Sequence, residues 1–446
     1  MDLADARGDP AGGGVTAPTG FLGLSHLGIV TGIGWASFGR PVLGVDPDQQ
    51  VVDRLAAADL PVHEPGLPDL LTRSQRDISF SADLARLAEC PLVIVARDVP
   101  TDAANRSDLA PVLALVDAAI PHLRQDVVLV VMSQVPPGFT RALGARIAAA
   151  RPELRFELVY WVETLIFGDA VHRTLEPERF MVGCADPLRP LPSLFEEGLR
   201  AYGCPILPMG YESAELTKTA INLYLVGSVT YANTLADLCE SIGADWSEMV
   251  PALRLDRRIG PAAYIRPGIG IAGGNLERDL VTLQALGREH DVDTSYIDTL
   301  ITLNSRRFDW VSRKLQQHVF AAIPHPELGV WGLTYKKNTH STKNSPSLRL
   351  IRSLDGRAAV KAWDPVIRAG DVDVAARVVE TPEHAAENAD ALLVMADWDA
   401  IAEADLPALR QVMRRPLVID CTDVLRSRLA EMQGLGIEYI SMGRAG

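Results

Sequence analysis

Short apolar runs alternate with helix-like stretches in the first and last parts of the chain, and this alternation constrains the fold most strongly. In the first part, runs of strand length lie at 21–24, 41–46, 91–96, 127–132 and 156–160. In the last part, similar runs lie at 326–333, 359–363, 391–395 and 416–420. Strands that alternate with helices form parallel sheets, because each helix returns the chain to the start of the next strand. The sequence therefore predicts an α/β chain with two Rossmann-like, doubly wound parallel-sheet domains.

The middle of the chain lacks this alternation. A proline-free periodic segment from Ala214 to Ile242 predicts one long helix, and further helix is expected to about Gln317. A helical stretch between two α/β parts commonly supplies a linker and a dimer surface. The predicted organisation is a disordered tail rich in Gly, Ala, Asp and Pro, an N-terminal Rossmann-like domain, a central helical region and a C-terminal Rossmann-like domain, at 1–20, 21–207, 208–318 and 319–446.

Composition narrows the possible partners. The 43 Lys and Arg against 57 Asp and Glu give a net charge of −14, which argues against nucleic acid and an anionic membrane surface. A phosphorylated ligand remains possible in a locally cationic pocket. The five cysteines are scattered without zinc-ligand spacing, which predicts no metal and reduced thiols in the cytoplasm. The chain has no signal-peptide pattern and no apolar run near the roughly 18 residues of a membrane helix.

A glycine-containing turn follows the first predicted strand, at Gly23-Leu24-Ser25-His26-Leu27-Gly28. Such a turn lets backbone N–H groups at a helix start meet a pyrophosphate. Ser25 stands where the middle glycine is usual, so its Cβ would lie close to the phosphates. Asp46 ends the next strand, where a carboxylate accepts the adenosine ribose hydroxyls and repels a 2′-phosphate. The turn predicts NAD rather than NADP; the alternative is an ordinary βαβ turn capped by Ser25.

Lys218 and Asn222 are four residues apart on the predicted long helix, so they share one face. A lysine beside an amide suits the stabilisation of an oxyanion at an oxidised carbon. A bare pair of this kind is also common on a solvated helix surface, and this alternative stays open on spacing alone.

A loop from Arg258 to Asp279 adds the most specific pattern. Its second half runs Gly268-Ile269-Gly270-Ile271-Ala272-Gly273-Gly274-Asn275-Leu276-Glu277-Arg278-Asp279. It resembles the Gly-Phe-Gly-Gly-Ser-Cys-Phe-x-Lys-Asp loop of the UDP-glucose/GDP-mannose 6-dehydrogenase family, and the likeness extends from about Gly23 to Arg444. Counted back from Asp279, Asn275 takes the place of the catalytic cysteine. That family makes a sugar acid by two hydride transfers to NAD through a thioester, which an amide cannot form.

The resemblance implies catalytic roles for Glu163, Lys218, Asn222, Asn275 and Asp279. The 215–222 segment is similar to the family's Glu-x-x-Lys-x-x-x-Asn, and Lys218, Asn222 and Asp279 correspond to its water and proton network. In the 161–168 loop only Glu163, Leu165 and Gly168 match the family, and the rest of the loop is rewritten. Leu165 is implied to line the substrate.

Further contacts are implied by shorter matches. Val99-Pro100-Thr101 resembles a Thr-Pro-Thr loop near the cofactor, and the 133–138 segment resembles Ser-Thr-Val-Pro-x-Gly, with Gln134 at the usual threonine. The implied cofactor-binding residues are Gly23, Ser25, His26, Leu27, Gly28, Asp46, Pro100 and Ser133. The implied substrate-binding residues are Leu165, Arg258, Tyr264, Gly270, Gly273, Tyr335 and Lys336. Arg258 matches an arginine that reaches a neighbouring subunit, which implies a homodimer, and Thr422 replaces a substrate-binding arginine.

These observations predict an NAD-dependent oxidoreductase that acts on a CH–OH group of a nucleotide sugar and stops after two electrons, because the thioester-forming cysteine is absent. Two alternatives remain open from the sequence. One is an epimerase that oxidises its nucleotide sugar transiently and reduces it again. The other is a non-catalytic homologue that binds NAD or a nucleotide sugar. The base, the sugar and the oxidised carbon are not defined by these residues.

Overall fold

The computed structural model describes residues 17–102 and 104–444, and its first part is an eight-stranded sheet. The strands are β1 Thr19–Leu22, β2 Val42–Val45, β3 Ile78–Ser81, β4 Leu92–Val95, β5 Val127–Val131, β6 Phe156–Trp161, β7 Phe180–Cys184 and β8 Ile206–Gly210. The helices are α1 His26–Ala36, α2 Gln49–Ala56, α3 Leu67–Ser74, α4 Ala110–Ala119, α5 Phe139–Ala150, α6 Ala170–Leu175 and α7 Ser193–Arg200, with 3₁₀ turns at Leu84–Glu89 and Ile120–His122. The strand order is β3-β2-β1-β4-β5-β6-β7-β8.

The sheet is parallel apart from the antiparallel pair β6–β7. Its central strands are apolar on both faces; all five residues of β5 are buried. Helices cover both faces, so neither face of these strands meets water, which explains their continuous Val, Ile and Leu runs. The glycine-containing turn between β1 and α1 lies at the carboxyl end of the central strand, where ligands bind in doubly wound sheets.

Helices form the middle of the chain. They are α8 Tyr211–Ile242, α9 Trp246–Leu255, α10 Asn275–Glu289, α11 Ser295–Arg307 and α12 Asp309–Leu315, followed by a π turn at Gln316–Phe320. The 32-residue α8 ends at Gly243, whose φ of +81° gives the left-handed conformation that terminates many helices. The loop between α9 and α10 brings the glycine-rich segment of 268–274 back against α8 and α10.

The last part is a six-stranded sheet of order β11-β10-β9-β12-β13-β14. Its elements are β9 Glu327–Trp331, α13 Pro346–Ser353, β10 Ala359–Trp363, β11 Arg377–Val378, α14 Pro382–Ala386, β12 Ala391–Val394, α15 Asp399–Ala402, α16 Leu406–Val412, β13 Leu417–Asp420, α17 Leu429–Gly434 and β14 Glu438–Ser441, with a 3₁₀ turn at Arg426–Arg428. The order repeats that of the first six strands of the N-terminal sheet. The predicted fold class, two doubly wound domains joined by helices, is confirmed.

Some predicted boundaries are displaced. Residues 1–16 of the predicted tail lie outside the described part of the chain. The prediction of a tail as far as residue 20 is wrong at its end, because β1 begins at Thr19. The Thr19 N–H donates to the Pro41 carbonyl over 2.8 Å. The boundary predicted at 207 falls inside β8, an edge strand that contains Pro208. β3, β8, β11 and β14 were not predicted, because they are partly exposed, and β8 also carries Pro208. β7 was not predicted either, although all five of its residues are buried.

The two sheet domains meet across their loops. The rings of His63 and His340 lie edge to face with centroids 4.7 Å apart, and the Lys343 ammonium donates to the Thr101 hydroxyl. A Cβ at Gly168 would lie 2.6 Å from the Asn338 carbonyl oxygen, so these backbones touch. Among the described residues, no helix has both the length and the hydropathy of a membrane span.

Candidate active site

The turn between β1 and α1 is shaped by two glycines. Gly23 has a φ of +97°, which favours glycine, and a Cβ at Gly28 would lie 1.9 Å from the Gly23 carbonyl oxygen. The helix therefore starts directly against the turn, and the N–H groups of its first turn lie at the carboxyl end of the sheet. This geometry suits a dinucleotide phosphate, so the residues present fit NAD at this position.

Asp46 supports the same turn from β2. It is 1% exposed, and its carboxylate accepts the Leu24 N–H at 2.8 Å, the Asp48 N–H at 3.0 Å and the Arg97 guanidinium at 3.2 Å. A carboxylate has about four lone-pair positions. Asp46 thus holds the turn in place. Few lone-pair positions on its carboxylate remain for the ribose hydroxyls that it was predicted to bind.

The loop after β4 faces the start of α1. The Ser25 hydroxyl accepts the Asp98 N–H at 2.8 Å and donates to the Ala96 carbonyl at 3.3 Å. The Asp98 carboxylate in turn accepts the Leu27 N–H at 3.3 Å. The Asp98 carboxylate therefore lies near the N-terminus of α1 and accepts one of its N–H groups.

Two further residues of the predicted cofactor set lie beside this loop. Ser133 is fully buried, and its hydroxyl donates to the Arg97 carbonyl at 2.6 Å, so it supports the loop after β4 from below. Pro100 is exposed, and its carbonyl accepts the Asp108 N–H at 2.9 Å.

His26 joins the dinucleotide turn to the rewritten 161–168 loop. Its Nε2 lies 2.7 Å from the buried Glu64 carboxylate, which also accepts the Gly168 and Ala170 N–H groups. The His26 ring packs on Phe167 with centroids 4.4 Å apart. Burial raises the pKa of Glu64, but the His26 bond and the two N–H groups lower it more, so the pKa lies below its usual value.

A cleft runs from the helix start to the glycine-rich loop. The residues that line it come from the dinucleotide turn, the loops after β4, β5 and β6, and α10: His26, Leu27, Asp98, Val99, Gln134, Glu163, Leu165, Phe167, Asn275 and Arg278. It therefore brings predicted cofactor, catalytic and substrate residues to one place.

Lys218 and Glu163 form an ion pair at this cleft, with Nζ 2.8 Å from Oε1. Their side chains are 12% and 13% exposed, and the other Glu163 oxygen accepts the Leu165 N–H at 2.9 Å. Burial raises the pKa of Glu163, but the charge and hydrogen bond of Lys218 and the Leu165 N–H lower it further, so the carboxyl stays ionised. The ion pair therefore holds the Lys218 ammonium, a hydrogen-bond donor, beside the cleft.

Asp279 lies on α10 one turn after Asn275 and is 2% exposed. Asn222 of α8 donates to Oδ2 at 2.5 Å, and the Gln134 amide donates to both oxygens at 2.8 and 3.0 Å. The Arg278 guanidinium lies 3.5 Å from Oδ1 and donates to the Gln134 Oε1. Burial raises the pKa of Asp279, and its amide and cationic neighbours offset only part of that rise.

Asn275 is the first residue of α10 and is exposed in the cleft wall. Gly274 precedes it with a φ of +93°, and the Glu277 carboxylate accepts the Gly274 N–H at 2.9 Å. Asn344 of the C-terminal domain donates to the same carboxylate at 3.1 Å. The side chain at 275 is thus presented at a helix N-terminus that both domains hold in place.

The glycines of the preceding loop allow two close approaches. Gly270 has a φ of +102°, and Asn304 accepts the Ile271 N–H at 2.7 Å. A Cβ at Gly273 would lie 2.7 Å from the Tyr335 ring, so this ring lies on the loop backbone. Burial raises the pKa of Tyr335 and lowers that of the neighbouring Lys336, whose acidic neighbours compensate in part.

Two predicted substrate residues are not drawn into the cleft. Arg258 has a side chain that is 89% exposed and pairs with Asp256 at 2.7 Å, and Tyr264 is 55% exposed. Sequence reasoning overlooked Arg266 and Arg278. Arg266 donates to the Thr422 carbonyl and lies 3.4 Å from Asp397, while Arg278 lines the cleft. Arg278 could have been predicted to line the cleft, because it adjoins Asp279 and lies one helical turn after Asn275. No local pattern in the sequence points to Arg266.

Comparisons with known proteins cover nearly the whole chain. Residues 18–193 match the NAD binding domain of the UDP-glucose/GDP-mannose dehydrogenase family, residues 212–306 its central domain and residues 329–427 its UDP binding domain. A UDP-glucose 6-dehydrogenase of Pseudomonas aeruginosa is 30% identical over 445 residues, which cover 95% of this chain and 96% of that protein. One of Bacillus subtilis is 28% identical, covering 95% and 92%.

Solved structures agree with the fold. A UDP-glucose dehydrogenase from the archaeon Pyrobaculum islandicum superposes with a TM-score of 0.84 at 25% identity, covering 98% of this chain and 99% of that one. A UDP-D-ManNAc dehydrogenase from Pyrococcus horikoshii gives 0.82 at 20% identity, covering 96% and 99%, a likeness of fold alone.

Proposed function

This chain belongs to the UDP-glucose/GDP-mannose dehydrogenase family, and on that premise we propose that it oxidises a CH–OH group of a nucleotide sugar by two electrons. Its NAD-binding and UDP-binding domains make it an NAD-dependent oxidoreductase of nucleotide sugars. The observation that carries the finer proposal is Asn275, an amide on the cleft wall at the start of α10.

The chemistry of Asn275 limits the reaction. A thiol at this helix start could add to an aldehyde and carry an acyl group, whereas an amide has no nucleophilic atom for that step. The Asn275 amide can instead hydrogen-bond a carbonyl or its hydrate. The product is therefore an aldehyde or ketone, because the acyl intermediate that leads to an acid is not formed.

The other residues at the cleft bind the substrate, polarise its reacting oxygen or support the residues that do so. Bound NAD supplies the hydride acceptor. Lys218 donates to the substrate oxygen and stabilises its developing negative charge, and Glu163 holds the ammonium in place at 2.8 Å. Asn222 and Asp279 brace α8 against α10 behind the cleft. Leu165 and Phe167 form the apolar wall beside the sugar.

The nucleotide would lie between the glycine-rich loop and the C-terminal domain. Tyr335 packs on Gly273, and Lys336 follows it with a half-buried ammonium. A diphosphate beside Lys336 would gain a cationic partner, and Tyr264 offers an exposed ring for stacking on a base. Several relatives are UDP-glucose 6-dehydrogenases, which makes UDP-sugars the first class to test. The rewritten Thr164–Phe167 loop favours a sugar other than glucose.

We also propose a homodimer formed along α8. Its exposed face carries an apolar stripe at heptad spacing, Tyr224, Tyr231 and Leu238, extended by Ile242. Arg258, which the family resemblance assigns to the site of a neighbouring subunit, projects into solvent and contacts Asp256 of its own chain. A second copy of the chain would cover the stripe and bring its own Arg258 toward the site.

Replacement of Lys218 by methionine tests the catalytic part of the proposal. We expect NADH formation from the accepted nucleotide sugar to fall by about 10²-fold or more, because a positioned donor to the reacting oxygen is lost. Binding of UDP, followed by calorimetry, should persist. Lys361→Met, at a lysine of β10 that pairs with Glu387, is the matched control and should keep the rate. An unchanged rate in Lys218→Met would contradict the assignment.

A further inference from the structure

We infer that Gln134 seals the carboxylate of Asp279 off from the reaction cleft, so that Asp279 braces the site but does not activate water there. Gln134 follows β5, whereas Asp279 lies on α10, and 145 residues separate them in the sequence. The inference deepens the proposed function and rests on it for its place in the reaction.

The contacts of the Asp279 carboxylate occupy most of its hydrogen-bonding capacity. Oδ1 accepts the Gln134 amide at 2.8 Å and has the Arg278 guanidinium at 3.5 Å. Oδ2 accepts the same amide at 3.0 Å and Asn222 at 2.5 Å. An ionised carboxylate offers about four lone-pair positions. Three side-chain donors, Gln134, Asn222 and Arg278, therefore surround the carboxylate and leave little access for a water that would give up a proton.

The orientation of the Gln134 amide is set by its two neighbours. A carboxylate can only accept, so the amide nitrogen faces Asp279, and a guanidinium can only donate, so the amide oxygen faces Arg278. The alternative orientation would lose both interactions. Gln134 and Arg278 thus form one bonded unit across the carboxylate.

The same unit lies between the carboxylate and the cleft. Gln134 and Arg278 line the cleft, and the Asp279 side chain is 3% exposed. A water in the cleft beside Asn275 meets an amide and a guanidinium. These groups are poor proton acceptors, so they do not replace the carboxylate as a base.

The consequence is a second obstacle to acid formation. Hydrolysis of an acyl-thiol needs a base that takes a proton from water, hydroxide that attacks the acyl carbon, and release of the thiolate, which then regains a proton. In this chain Asn275 stands in the place of the thiol, and Gln134 covers the Asp279 carboxylate, which would be the base. A thiol introduced at position 275 alone should therefore form an acyl-enzyme that persists.

Acetylation by p-nitrophenyl acetate tests this point without NAD or a nucleotide sugar, so failure of the proposed function leaves the test intact. The thiol of Asn275→Cys takes the acetyl group and releases p-nitrophenolate, and loss of the acetyl group is followed by mass spectrometry of the whole protein. The unchanged chain reports labelling of the native cysteines, of which Cys204 is half-buried and the other four are buried.

We expect the acetyl group to persist in Asn275→Cys. In Asn275→Cys/Gln134→Ser it should be lost about 10²-fold faster, since a shorter side chain frees the carboxylate for general base catalysis. Addition of Asp279→Asn should return the slow rate. Gln125→Ser in the Asn275→Cys background makes the same change at a glutamine outside the cleft, one that donates to the Glu153 carbonyl, and should not accelerate the loss. No acceleration with Gln134→Ser, or acceleration that survives Asp279→Asn, overturns the inference.

The pH dependence gives a second readout if Asp279→Asn does not fold. Deacetylation in Asn275→Cys/Gln134→Ser should rise with pH through a single inflection, because the base acts only when ionised. The slow rate of Asn275→Cys should lack that inflection. The same profile in both variants would show that Gln134 does not cover the base.

Discussion

Lys336 shows at the scale of one residue how the free protein is prepared for an anion. Its ammonium is half-buried between the domains, and burial lowers its pKa, although the acidic neighbours Glu64, Asp169 and Asp397 raise it in part. A diphosphate beside the ammonium would stabilise the charged form. The pKa should therefore rise when a nucleotide binds.

This shift predicts proton uptake on UDP binding. At a pH between the lowered value of the free protein and the higher value of the complex, the free amine is neutral and the bound amine is charged, so the complex gains a proton. Calorimetry in two buffers of different ionisation enthalpy measures that uptake. Lys336→Met should abolish it and Lys361→Met should not. Equal uptake in Lys336→Met and the unchanged chain would place the titrating group elsewhere.

Residue spacing predicted part of the site and could not predict the rest. Lys218 and Asn222 were placed on one face of the predicted long helix by their separation of four, and both lie on α8. The cover over Asp279 joins Gln134 to a residue 145 positions away, so no local pattern reveals it. Asp46 was expected to face ribose, yet its carboxylate is occupied by N–H groups and Arg97 that only the folded turn brings to it.

At the scale of elements, the loop between α9 and α10 contributes an arginine to the contact with the C-terminal domain in addition to its glycines. Arg266 of this loop donates to the carbonyl of Thr422 after β13 and lies 3.4 Å from Asp397. Thr422 stands where the family resemblance places a substrate-binding arginine. We propose that Arg266 supplies, from another element, the guanidinium that the resemblance places at position 422.

We therefore expect Arg266→Ala to weaken UDP binding by roughly tenfold, since hydrogen bonds to charged groups contribute about 1.5–3 kcal/mol. Thr422→Arg added to Arg266→Ala should restore much of the affinity, because it returns a guanidinium to the same place. Titration calorimetry with UDP measures both effects. Arg254→Ala, at an exposed arginine of α9, is the control. Unchanged affinity in Arg266→Ala would exclude Arg266 from the nucleotide site.

Some of the strands could be predicted from the sequence and others could not. Buried central strands gave continuous apolar runs, such as Val127–Val131, and were predicted. Ile206–Gly210 contains a proline on an edge strand, and Ile78–Ser81 alternates with polar residues at an edge, so neither resembles a buried strand. Their pairing depends on neighbours elsewhere in the sheet, which a local pattern does not contain.

At the scale of the whole molecule, the two sheet domains repeat one winding order around the central helices, and α8 carries the exposed apolar stripe. Contiguous apolar surface of this kind commonly marks an interface between proteins. A dimer along α8 would give each Arg258 a neighbouring subunit to reach.

Charged substitutions on the stripe test the assembly. We expect the unchanged chain to sediment as a dimer and Tyr231→Glu/Leu238→Glu as a monomer, because buried carboxylates facing each other oppose association. Leu188→Glu, at an exposed leucine of the loop after β7, should remain dimeric. Analytical ultracentrifugation distinguishes these states. A dimer that persists in the double variant would place the interface on another surface.

We propose that this family member stops after two electrons, and the ratio of NADH formed to nucleotide sugar consumed measures this most directly. The purified chain would be incubated with NAD and a panel of UDP- and GDP-sugars, and the product analysed by mass spectrometry. We predict one NADH for each sugar and a product that has lost two hydrogen atoms. Two NADH for each sugar with a carboxylic acid product would contradict the account, and a product of unchanged mass with an inverted stereocentre would identify an epimerase instead.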